Sequence, residues 1–451
     1  MRTPAPATMR ALVIAYAFPP TGGAGVGRPL KLVKYLPAHG VRPAVLTASN
    51  PSVPLRDESL LADLPPDVEI VRVRTLEPGY AVKQAGWTAQ AGGSEASAAR
   101  PGRRLVGRAV MLGRQALVPD PQILWQPAAQ MALAGRLARK ADDVVLISAP
   151  PFSQFLLAPL ARLRPGVGVV LDYRDEWSTV QTSYVMQARW SARLGATIER
   201  TLLRAAHLVT TATEAFRQNL LDRFSFLSAE QVVAIPNGYD PDDFPASLAG
   251  PAPGADRFTV TYAGTVFNLT SPGGFLRAVR RLHAEAPDLA RRLRVRFLGR
   301  ITETEREAFA GLEALGVECA GYVPHVEVTQ ALAASHLALC ILDEVPGVER
   351  IYPAKIFELG HLSDRTGLEV LTLAPPGALA DLVRAHRIGP HLPPRDEVAI
   401  AALLKDRLST FVSGGALPRA RPVGMERYDR RALAGEFAQV LARARDQAAG
   451  R

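Results

Sequence analysis

The sequence predicts an α/β protein made of two tandem Rossmann-like domains. Three observations lead there. Short apolar segments alternate with longer amphipathic ones, the apolar segments run continuously, and one Pro/Gly/Ala-rich break divides the series in two. Strands that are apolar on both faces belong to a parallel sheet with helices on both sides. At 451 residues the chain is long enough for two or three domains of about 100–200 residues each.

The first series runs ALVIAY then GRPLKLVKYLPAHG, PAVLTA, VEIVRV, DVVLIS then QFLLAPLARL, VGVVLDY and HLVTTAT, which gives a first domain over 1–240. The uncharged run from Val144 to Ala161 has the length of a membrane span. Pro150, Pro151, Ser153 and Gln154 break it, so it reads as a strand, a turn and a helix. The stretch 241–257, containing SLAGPAPGADR, has linker composition. A second domain over 258–425 follows as FTVTYAG, FLRAVRRLHAEA, RVRFLGR, EREAFAGLEAL, VECAGY, VTQALAAS, LALCIL, AKIFELG, VLTLAPP and ALADLVRAHRIG. A last amphipathic helix is expected over about 426–447, and periodicity leaves open which domain it covers.

Lys+Arg 53 against Asp+Glu 43 gives a net charge of +10, carried mostly by arginine, since only Lys31, Lys34, Lys83, Lys140, Lys355 and Lys405 are lysines. The basic residues are spread out, with no interleaved aromatics and no reading motif, which excludes nucleic acid as the expected partner. One cluster stands apart: Arg100, Arg103, Arg104, Arg108 and Arg114, interleaved with Leu105, Val106, Val110, Met111 and Leu112. It reads either as a surface for anionic membrane or as a solvated helix face. Cys319 and Cys340 lie in apolar stretches without metal-ligand spacing and are expected to be buried, reduced thiols. MRTPAPATMR leads into an apolar run too short for a secretion signal, so the expected location is cytoplasmic, with peripheral contact at the inner membrane face.

Four turns carry candidate chemistry. The first strand ends in Gly22, Gly23, Ala24, Gly25, Val26, Gly27 and Arg28 before a helix, where backbone N–H groups approach a phosphate and the helix dipole favours it. The dinucleotide fingerprint is not met, because Arg28 stands where its last glycine belongs and no acid occurs between Pro29 and Arg56. A P-loop is excluded, since the chain has no Gly-Lys-Ser/Thr. A plain turn remains the alternative. Asp172, Arg174 and Asp175 close the strand VGVVL and read either as an acceptor site or as an ion-pair cluster. In Pro353-Ala354-Lys355-Ile356-Phe357-Glu358, a lysine in a first helical turn attracts phosphate and a glutamate one turn on accepts from sugar hydroxyls. The alternative is a solvated helix face. The fourth turn, Leu373 to Ala378, contains Pro376 and Gly377.

Taken in order, FPPTGGAGVGR, DYRDEW, IPNGYD, YAGT, PAKIFE, LAPPG and YDRRALAGEFAQVL resemble the family 4 retaining glycosyltransferases of the GT-B fold, over about Tyr16 to Leu441. The resemblance implies two Rossmann-like domains facing a central cleft, with the last helix returning to the first domain. It implies transfer of a sugar, with retention, from a nucleotide-diphosphate-sugar to a sugar or lipid-linked acceptor in cell-surface polysaccharide or glycoconjugate biosynthesis. No metal or cofactor is implied beyond the nucleotide-sugar co-substrate. By matching position, Gly23 meets the donor diphosphate, Glu358 the ribose, and Gly22, Gly25, Gly264, Thr265, Asn237, Pro376 and Gly377 line the substrate. Lys355 neutralises the leaving group, Asp172 and Asp175 face the acceptor or the transferred sugar, and Arg174 between them binds substrate.

This sequence departs from the family in three places. Arg350, with Glu349 one place off, stands where the family's first glutamate lies. The turn YAGTVFNLTSPGG has neither Arg nor Lys, so donor phosphate falls to Lys355, Arg350 and Arg28. HLSDRTGLE is longer than the family's loop and lacks its Gly-x-Pro. A nucleotide-sugar epimerase or phosphorylase on the same fold, or a non-catalytic nucleotide-sugar-binding subunit, is the alternative reading.

Overall fold

The computed structural model describes residues 9–53, 55–79, 117–177, 189–252 and 255–450. The chain divides into two compact units, Met1–Pro236 with Arg430–Arg451, and Asn237–Asp429. The basic segment Arg100 to Arg114 lies outside the described residues.

In the first unit, β1 (Met9–Ile14), β2 (Val41–Ala48), β3 (Glu69–Val73), β4 (Val144–Ala149), β5 (Gly168–Tyr173), β6 (Leu208–Thr211) and β7 (Val232–Ala234) form one parallel sheet. Its order is β3-β2-β1-β4-β5-β6-β7. The apolar run of β1 is explained by its two faces. Leu12 and Ile14 enter one core with Val145 and Ile147, and Ala11 and Val13 enter the other with Val144 and Leu146. The run Val144 to Ala161 is a strand, a turn and helical segments, as its prolines require.

Helix α1 (Ala24–Tyr35) and the C-terminal helix (Arg430–Ala448) cover the second of these cores. Leu433, Phe437, Val440, Leu441 and Ala444 form the buried stripe of the latter, at helical spacing. It lies so close to β5 that a Cβ on Gly168 would come within 2.7 Å of the Ala444–Arg445 backbone.

In the second unit, β8 (Phe258–Ala263), β9 (Leu293–Leu298), β10 (Val317–Gly321), β11 (Leu337–Ile341), β12 (Glu369–Leu373) and β13 (His391–Leu392) form a parallel sheet ordered β10-β9-β8-β11-β12-β13. Helices α2 (Gly273–Glu285) and α6 (Glu397–Val412) bury one face. Helices α3 (His325–Ala333), α4 (Lys355–Thr366) and α5 (Ala378–Ala385) bury the other. In each sheet the order reverses once, at β1/β4 and at β8/β11, and parallel sheets place ligands beyond the carboxyl ends of strands at such points.

Three expectations are corrected here. Cys319 is exposed because β10 is an edge strand whose outer residues are uncovered, whereas Cys340 in central β11 is buried. The stretch expected as a linker starts inside the second unit. Just before it the N–H of Tyr239 donates to Tyr428 O (3.0 Å), and within it Phe244 packs with Tyr239, Met425 and Tyr428. HLSDRT is not a remodelled loop but the end of α4, which stops at Gly367 in the left-handed conformation, its N–H on Ser363 O (2.7 Å). No helix among the described residues is long and apolar enough to cross a membrane.

Candidate active site

In the second unit, β8 runs through the buried Tyr262 to Ala263 and turns at Gly264, whose φ of 132° suits glycine. The turn is pinned twice at Thr265 O, by Tyr262 Oη (3.0 Å) and by Thr270 Oγ1 (2.8 Å). Helix α4 opens opposite this turn with Lys355. The ammonium donates to Ala263 O (2.8 Å) and sits 3.9 Å from the centroid of the Tyr262 ring. A Cβ on Gly264 would stand 2.5 Å from Lys355 Nζ, so glycine is what lets the ammonium reach the strand end. Among the described residues Lys355 has no carboxylate partner.

One turn on, the half-buried carboxylate of Glu358 has no hydrogen-bond or ion-pair partner among the described residues. Both side chains line a cavity of about 50 Å³ with Phe244, Ala263, Val328, Thr329, Leu332, Leu359 and Leu362. That is space for a few waters. Pro375 lines a second recess with Val348 and Glu349. Gly377, φ 147°, caps α5 there, and a Cβ on it would strike Glu349 O at 2.5 Å. Arg350 pairs with the neighbouring Glu349.

In the first unit, Gly22 donates its N–H to Leu55 O (3.0 Å), and Gly23 opens α1 with φ 106°. Arg174 braces this turn from β5, donating to Gly25 O and to Pro150 O. Asp172 is enclosed and accepts from Arg28 (2.8 Å), Ser148 (2.7 Å) and Thr210 (2.8 Å). Burial opposes its ionisation, but Arg28 together with the Ser148 and Thr210 hydroxyls outweighs burial and holds the carboxyl below its usual range. Arg28 itself is 5% exposed, donates to Ile235 O and Pro236 O, and lies 4.8 Å from the Phe437 ring centroid. Asp175 differs. It is only half-buried, has no hydrogen-bond partner among the described residues, and is pushed up by desolvation despite Arg174 beside it.

Residues 22–238, which hold the glycine turn, Asp172 and Asp175, match the glycosyl transferase 4-like domain. The chain thus carries a glycosyl transferase 4-like domain in its N-terminal half. Its fold is that of sucrose-phosphate synthase from Thermosynechococcus elongatus (TM-score 0.59, 15% identity, 96% of this chain and 98% of that one). It is likewise that of the Anabaena protein HepE in complex with UDP and glucose (0.57, 14%, 96% and 99%). WaaG, a glycosyltransferase involved in lipopolysaccharide biosynthesis, shares the fold as well (0.52, 15%, 98% and 100%). No curated protein matches the sequence.

In this glycosyltransferase the structure brings Gly264, Lys355 and Glu358 to one strand end, with Thr265 exposed beside them. Pro376 and Gly377 form a separate turn against the loop of Glu349 and Arg350. Gly22, Gly23 and Gly25 form the turn between β1 and α1, Arg174 reaches it from the end of β5 with Asp175 next in the chain, and Asn237 begins the second unit. Two expectations change. Arg28 was expected to meet donor phosphate and Asp172 the acceptor, but they are tied to each other inside the domain, which makes them scaffold. Sequence reading passed over Tyr262, because an aromatic in a strand reads as core. It also passed over Phe244, Val328, Thr329 and Leu332, which reach the cavity from distant segments and carry no local signal.

Proposed function

We propose that this glycosyltransferase moves a sugar from a nucleotide-diphosphate-sugar to an acceptor hydroxyl, with retention at the anomeric carbon and without a metal, in cell-surface polysaccharide or glycoconjugate biosynthesis. The observation that carries the reading is Lys355, an ammonium at a strand-end turn with no carboxylate partner among the described residues. Fixed positive charge there stabilises the departing diphosphate, where negative charge develops. Glu358, one turn away, accepts from the ribose hydroxyls.

In the reaction, the bond between the anomeric carbon and the phosphate oxygen breaks and the acceptor oxygen bonds on the same face. The acceptor proton passes to the leaving phosphate, giving a nucleoside diphosphate and the glycosylated acceptor. Asp175 orients the acceptor hydroxyl, because it is the carboxylate of the Asp172–Glu176 cluster left without a hydrogen-bond partner among the described residues. HepE was solved in complex with UDP and glucose, a nucleoside diphosphate and a sugar, the two parts that a donor of the proposed class joins.

Lys355→Ala is expected to lower kcat/KM for a nucleotide-sugar by about 10²- to 10³-fold, the cost of removing one donor to a developing oxyanion. A chelator is expected to leave the wild-type rate unchanged. Near-normal turnover in Lys355→Ala overturns the assignment.

A further inference from the structure

Holding an ammonium in place for a diphosphate is a geometric problem, because a lysine stem has four rotatable bonds and a strongly hydrated head. An acid would fix the head but cancel its charge. Among the described residues no acid touches Lys355. A neutral carbonyl, Ala263 O at 2.8 Å, takes one of its three donors, and an aromatic face lies 3.9 Å away. That face belongs to Tyr262, fully buried in β8, whose hydroxyl donates to Thr265 O (3.0 Å) and so holds the turn that bears Gly264. The same side chain therefore locates the ammonium with its ring and the glycine beneath it with its hydroxyl.

We propose that Tyr262 is a positioning residue for donor binding. Its ring face holds the Lys355 ammonium at the end of β8 while leaving its charge and its remaining donors to the diphosphate. A cation over an aromatic face is attracted by the ring quadrupole, strongly where water is excluded. The proposal rests on the donor-binding role given to Lys355 above, and it extends that role to a residue that touches no substrate.

The test is calorimetric binding of UDP, GDP, ADP and dTDP to the full chain, continued with whichever binds tightest. Lys355→Ala is expected to weaken that nucleotide most, and Tyr262→Leu by about tenfold. Tyr262→Phe, which keeps the ring and leaves Thr270 Oγ1 to hold the turn at Thr265 O, is expected to stay near wild type. Because leucine in a packed strand can cost folding, a second series places phenylalanine and its mono-, di- and trifluoro analogues at 262. Fluorine drains the ring face of negative charge at nearly constant volume, so affinity should fall stepwise with each fluorine.

A flat fluorine series, with Lys355→Ala still weakened, overturns the role of Tyr262 and leaves the donor reading standing. Wild-type affinity in Lys355→Ala, or no nucleotide bound by the wild type, overturns the donor reading and the Tyr262 proposal with it.

Discussion

At the carboxyl end of β5 the Asp172 carboxylate is closed in by three donors. At the carboxyl end of β8 the Lys355 ammonium meets a carbonyl and a ring face but no acid among the described residues. The two sheets share an architecture and a reversal of strand order, yet one neutralises its strand-end charge internally and the other leaves it available. The first arrangement is repeated within the same unit, where Arg136 and Asp142 are both buried and 2.7 Å apart. A buried pair resists the loss of one member, because the survivor is left uncompensated. An uncompensated charge at the mouth of a cavity contributes little to stability and is free to meet a ligand. The comparison therefore separates scaffold charges from working ones by their partners rather than by their residue type.

The largest effect that could break this comparison is on stability. Arg28→Met strands Asp172 inside the first unit and should destabilise the protein by about 3–5 kcal/mol. Denaturant unfolding of Arg28→Met beside Lys355→Ala checks it, since the latter is expected to unfold near wild type. A smaller effect is expected at Glu358. Glu358→Gln keeps the shape but weakens the acceptor for ribose hydroxyls, raising the donor KM about tenfold with kcat little changed, as the loss of one charge-assisted bond predicts. Steady-state kinetics at varied donor concentration read it directly.

The smallest effect is a pH dependence. His207 Nδ1 accepts from the N–H of Val169 (2.9 Å), and burial together with Arg162 pushes the ring down to about 4. Its folded value lies below the unfolded value of about 6.5, so its stabilisation is present above that pH and is lost as pH falls toward 4. The melting temperature should fall over that window, and less steeply in His207→Asn.

Much of this was legible in the residues. Strands with two apolar faces announce a covered parallel sheet, and Lys355 stands out where only six lysines occur. Glu358 follows from its spacing of one helical turn. Pairing was not legible. Arg28 and Asp172 are separated by 144 residues, and no local pattern tells an arginine that will bind phosphate from one that will bind a buried acid. For the same reason HLSDRT was read as loop: its polar residues suit a turn, and only the packing of Leu359, Leu362 and Ser363 shows that the helix continues. Exposure of Cys319 depends on β10 lying at a sheet edge, a fact of strand order that sequence does not carry.

The C-terminal helix has a consequence for synthesis. The first unit leaves the chain at Pro236 and is rejoined at Arg430, and that last helix supplies Leu433, Phe437, Val440 and Leu441 to one of its two cores. As the chain emerges from the ribosome, the second unit is complete once Asp429 is out, while the first still waits with that core uncovered. At about 5–20 residues per second, the 193 residues of the second unit impose a delay of tens of seconds or less on a domain whose own strands were all made earlier. The unit that begins first is the last to close.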